Sequence, residues 1–236
     1  QRLILLEGIG WDKDSIYNEC METLIQTIKQ KYGWGIRSDF TEKELNGLLR
    51  TGEEISDAVE KWLPGINGDS WVRQNLGKAV FHKGGLPQKV VSLANGGTRI
   101  SLVFYNFHVW LDPATFDTIK PTQWVTHELG HVLDNQFHRG AIWWGGGPSD
   151  ELQWALNARP SGLRWYNTRA MAEAMPEIST WKHHNQGRKP DYGDHSTADY
   201  FAETWMYSIY RPSVVPPIAK DWFMDWMRDQ TLLVSD

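Results

Sequence analysis

Residues 126 to 134 read THELGHVLD, and the residue types in that stretch are those of hydrolytic metal chemistry. His127 and His131 are four apart, so on a helix their imidazoles share a face and offer two nitrogens to one cation. Glu128 falls beside that face. From there its carboxylate can reach a metal-bound water without occupying a coordination position, as a general base must. The surrounding run PTQWVTHELGHVLDNQFH supplies the helix, with Pro121 in its first turn and Trp124, Leu129, Val132, Leu133 and Gln136 compatible with one continuous element. Asp134, three residues after His131, reads in two ways: as the acceptor of a histidine's second ring N–H, or as an ordinary polar residue near the helix end.

A catalytic zinc takes three protein ligands and leaves a position for water. The extended pattern H-E-x-x-H-x-x-G-x-x-H would need glycine at 134 and histidine at 137, where the chain has Asp134 and Phe137, so His138 is disfavoured. Glu151, in SDELQWAL, stands twenty residues after His131, a spacing that resembles thermolysin-like enzymes. The other source is YGDHSTADYFAETW, residues 192 to 205, where a helix starting near Ser196 presents Asp199 and Glu203 one turn apart. One of these carboxylates would bind the metal and the other support a histidine. STAD also fits a helix start, with Asp199 meeting the helix dipole.

THELGHVLD followed by Y-x6-D-Y-F-A-E resembles the zinc peptidases of the anthrax lethal factor and Pro-Pro endopeptidase group. The opening GIGWDKD turn between a short strand and a long helix is similar as well. The resemblance implies His127 and His131 as ligands, Glu128 as base, Asp199 as third ligand where the family usually has glutamate, and Tyr192 as the tyrosine that serves the transition state. It places Glu203 at the family's second helix glutamate. Aspartate is one methylene shorter than glutamate, so either the helix sits closer to the metal or Glu203 replaces it. The gap between the two motifs is also longer than in that group, which keeps Glu151 as a further alternative. A phenol such as Tyr192 can also donate to a developing oxyanion on purely chemical grounds.

The elements that must position these residues follow from periodicity and punctuation. RLILLEG reads as an opening strand, and DKDSIYNECMETLIQTIKQKYG as a long amphipathic helix, with Ile16, Cys20, Leu24 and Ile28 on one side and Gly33 as the stop. Cys20, the only cysteine, is expected to be a small buried hydrophobe. TEKE at 41 to 44 and TGEE at 51 to 54 each match a capping box, which predicts two short helices, the second ending near Pro64. Residues 79 to 111 predict several strands, of which 99 to 105 or 108 to 111 would edge the cleft. Further helices are expected around 149 to 157, 168 to 177, 196 to 210 and 217 to 230. The expected fold class is α+β and zincin-like, with a small mixed sheet, a long backing helix and an active-site helix. It forms a single domain over 1–236, with the sheet and helix part in 1–120 and the mainly helical metal-bearing part in 121–236.

Composition narrows the function. A net charge of −5 with scattered cations excludes a phosphate-binding stripe, and no apolar run is long enough to span a membrane. No nucleic acid and no membrane are expected as partners. The start at Gln1 without methionine reads as a processed, secreted protein. Fourteen tryptophans must fill a core or line a cleft, and WWGGG at 143 to 147 reads as a lid or a loop anchored by its aromatics. The expectation is therefore a monomeric, secreted zinc endopeptidase with one Zn2+ per chain and a peptide or protein substrate. Its rivals are a non-catalytic glycan- or protein-binding module on a zincin scaffold, and a zinc amide hydrolase acting on glycopeptide or cell-wall substrates.

Overall fold

The structure, a computed structural model, describes residues 13–84, 102–104, 107–117, 120–137, 147–156 and 197–232. The opening strand, the helix at 168 to 177, residues 143–146 of the tryptophan and glycine loop, and Tyr192 lie outside the described residues.

Helix α1 (Lys13–Tyr32) is the predicted long helix, and Gly33, at φ 79°, ends it with an N–H donated to Lys29 O. Cys20 corrects the expectation of a buried thiol: residues 17–20 are all exposed. Among the described side chains of α1, contact with the core begins at Met21, partly through Leu24 and Ile25 and fully through Ile28 and Tyr32.

The second correction concerns α2 (Glu42–Trp62), a single 21-residue helix where two short ones are predicted. The first capping box forms. Thr41 N–H donates to Glu44 Oε2 at 2.6 Å, and the Thr41 hydroxyl accepts from Glu44 N–H. The second does not, because an N-cap residue must leave helical geometry and the apolar phase of Leu45, Leu48, Ile55 and Val59 runs straight through. Thr51 instead donates its hydroxyl back to Gly47 O. Lys83 reaches Glu44 Oε2 at 2.9 Å from the sheet. Burial by itself raises the Glu44 carboxyl, but the Thr41 amide and the Lys83 ammonium outweigh it and hold the group below its usual range.

Helix α3 (Gly68–Leu76), which no sequence signal singles out, is capped by Asn67. Strands β1 (Gly35–Ile36), β2 (Val80–Lys83), β3 (Leu102–Phe104) and β4 (His108–Leu111) form a sheet in the order β1-β2-β4-β3. The first three in that order run parallel and β3 pairs antiparallel at the edge. Alternation sends Phe81, Val109 and Leu111 into the core and leaves His82, His108 and Trp110 half-buried on the other face.

Helix α4 (Pro121–Gln136) follows a short 3-10 turn (Pro113–Asp117), with Pro121 in its first turn as expected. Helices α5 (Pro148–Ala155), α6 (Thr197–Tyr210) and α7 (Pro217–Leu232) match the predicted late helices. α4 lies along α6 and also touches α2, α3 and the sheet, so it is buried almost all round. Buried residues of these elements join into one core. Trp34, Trp71, Trp205 and Trp226 sit inside it, and Trp71 stacks on Trp205 at 5.9 Å, so these indoles fill the interior as expected.

Candidate metal centre

The period of α4 brings the two histidines together. Their ring centroids are 4.9 Å apart with planes at 85°, one turn of helix between them. His127 is 4 % exposed and Glu128 2 %, while His131 is half-buried. Two imidazoles and a carboxylate are thus held on a buried turn, which suits a borderline cation at a site with little water.

Glu203 comes to this turn from α6. Its Oε1 lies 3.5 Å from His127 Nδ1, and it is 2 % exposed. A carboxylate at one ring nitrogen favours the imidazole orientation that leaves the other nitrogen as the donor to a metal. Asp199 stands on α6 one turn before Glu203, and its side chain lies outside the described residues. Among the described residues, no group of three His, Cys, Asp or Glu side chains converges as a metal cage. The donor set fits a zinc ion as the two-histidine part of a site whose third ligand is still to be supplied.

Glu151 does not join the histidines. It is exposed in the first turn of α5, whose inward residues are Leu152 and Gln153, and among the described residues it makes no three-donor group with the histidines. Asp134, a buried polar residue near the end of α4, holds the helix that follows. Its Oδ1 accepts the Ser149 N–H at 2.8 Å, both residues being buried, so it ties the start of α5 to the end of α4.

Sequence reasoning misses two tyrosines around the site. Tyr207, one turn beyond Glu203, is buried, and its phenol is pushed up to about 12 by burial and by the Glu203 charge. Tyr210 donates its hydroxyl to Glu54 Oε2 at 2.7 Å and lies 3.1 Å from Thr126 Oγ1. Burial drives the Tyr210 phenol well above the ordinary tyrosine value, so it stays protonated. The available signal was the continuing helical spacing 199, 203, 207, which puts Tyr207 on the same side as both carboxylates. A cavity of about 390 Å³ has Tyr210 and Glu54 in its wall, with Lys43, Arg50, Lys120 and Thr122, and neither histidine lines it.

Compared with known proteins, the chain matches no family model, no curated protein and no solved structure.

Proposed function

We propose that this chain is a zinc-dependent endopeptidase. The observation that carries the proposal is the pair of neighbouring imidazoles, His127 and His131, on one buried turn with Glu128 between them in sequence and Glu203 at His127 Nδ1. His127 and His131 would hold the zinc, with Asp199 as third ligand and Glu203 as its alternative. Bound zinc would lower the pKa of a coordinated water towards neutrality and polarise the substrate carbonyl.

Glu128 takes the proton of the attacking water onto its carboxylate and passes it to the leaving amine nitrogen. Glu203 holds the His127 ring in orientation from the Nδ1 side. Tyr192 donates its phenolic hydrogen to the oxyanion that develops on the carbonyl oxygen. The low exposure of Glu128 and His127 excludes bulk water and strengthens these interactions. A buried general base beside two imidazoles also distinguishes this reading from a binding module, which has no use for one.

The test is cleavage of a peptide library with and without chelator, alongside metal analysis of the purified full chain. About one zinc per chain is expected. Glu128→Ala keeps the zinc and loses hydrolysis by orders of magnitude, and wild-type activity in that variant removes the mechanism. Asp199→Ala weakens zinc binding more than Glu203→Ala, and the opposite order moves the third ligand to Glu203.

A further inference from the structure

The two helices that build the site meet again at a half-buried polar junction. His127 and Glu203 face each other across α4 and α6. Seven residues after Glu203, roughly 10 Å along α6, Tyr210 reaches back to Thr126, the residue immediately before His127. Two cross-links at separate points on α6 fix both its slide and its rotation against α4, which a single contact leaves open.

Hydrogen counting gives the junction a direction. Glu54 is held through Oε1 by Arg50 Nε at 2.8 Å, and its Oε2 accepts the Tyr210 hydroxyl at 2.7 Å. A phenol has one hydrogen. With that hydrogen given to Glu54, the Tyr210 oxygen can only accept, from Thr126, which is fully buried, and from Thr122 beside it. The chain of donors therefore runs Thr126 to Tyr210 to Glu54 and joins α4, α6 and α2. Tyr210→Phe would keep the ring's packing against the core and lose every hydrogen bond of the phenol.

We propose that Tyr210 is a positioning residue for the His127–Glu203 pair, setting the register of α4 against α6 through its hydroxyl bonds to Thr126 and Glu54. This rests on the zinc peptidase reading for its catalytic consequence and on the fold alone for its effect on His127. Displacement of a reacting group by under an ångström is enough to cost rate, because the attack geometry is narrow.

The experiment uses the full chain as Tyr210→Phe, Thr126→Val, the double variant and Thr126→Ser. In the zinc-free protein, the imidazole nitrogen resonances of His127 shift in Tyr210→Phe and Thr126→Val and return in Thr126→Ser, which restores the hydroxyl. In the zinc-loaded protein, each of the first two lowers kcat roughly ten- to a hundred-fold with little change in KM. The double variant is no worse than Tyr210→Phe, because that substitution already removes the bond to Thr126. Unchanged His127 resonances in Tyr210→Phe overturn the proposal, as does wild-type kcat in that variant or additive losses in the double. A wild-type chain that binds no zinc and cleaves no peptide sinks the peptidase reading instead, while the zinc-free resonances still decide the role of Tyr210.

Discussion

His127 shows how much a single residue's role depends on what reaches its second nitrogen. In sequence it is one half of a helical pair, and Asp134 is a natural partner for a ring N–H. In the fold, Asp134 is bonded to the Ser149 amide, and Glu203 from α6 stands at His127 Nδ1. A second pair of histidines has no counterpart in any sequence motif. His82 Nε2 and His108 Nδ1 are 2.7 Å apart across β2 and β4, with ring planes within 19° and centroids 4.9 Å apart. That is the separation of two imidazoles meeting edge to edge along a straight N–H···N line, which holds one hydrogen between them. Burial, then the His108 and Arg37 charges, hold His82 below its ordinary value of 6.5. The unfolded chain therefore takes up the proton first, so the stability this residue contributes is whole above its unfolded value and drains away as pH falls towards the folded one. His82→Gln is expected to flatten the acid side of the stability curve, read as urea midpoints between roughly pH 5 and 8. A variant with the same slope as wild type would show that His82 does not couple its proton to folding.

At the scale of elements, α2 separates a capping signal from its use. TEKE and TGEE are equivalent as strings, yet only the first sits where the chain leaves extended geometry, with Thr41 at φ −74° and ψ 163°. The second falls in mid-helix, where Gly52 lies against the Tyr32 ring and the apolar stripe is continuous. Thr41→Ala is expected to cost about 1 kcal/mol of unfolding free energy, the usual loss when an N-cap oxygen is removed. Chemical denaturation of the purified variant checks it. A change indistinguishable from zero would mean that the backbone at Glu42 to Glu44 is satisfied without the cap.

For the whole molecule, the deciding contact is the approach of α4 to α6. Gly130, inside the His127–His131 turn, has no Cβ, and one built there would lie 2.7 Å from Ala202 Cα and 3.3 Å from Trp205 Cδ1. The closeness of the two backbones lets side chains of α6 reach histidines of α4. Helix propensity alone favours Gly130→Ala by up to about 1 kcal/mol. Overpacking against a backbone atom opposes it with about 1–3 kcal/mol, so the variant is expected to be less stable and, under the proposed zinc reading, to lose affinity for the metal. Both are measurable, by denaturation and by metal competition. Equal or greater stability would contradict so close a packing of the two helices.

The amino-acid sequence by itself determined the local half of this protein. Period 3.6 set His127, Glu128 and His131 on one turn, Pro121 opened that helix, Gly33 closed α1, and Thr41 with Glu44 capped α2. These features depend on hydrogen bonds and side-chain directions within a turn or two, which neighbours in sequence decide. Tertiary structure alone decided the partners: Glu203 at His127, Tyr210 between Thr126 and Glu54, Ser149 on Asp134, the strand order β1-β2-β4-β3, and the exposure of Cys20. Each of these depends on which apolar faces pack together, and burial sums over many weak contacts between distant segments, so no short stretch of chain contains the answer.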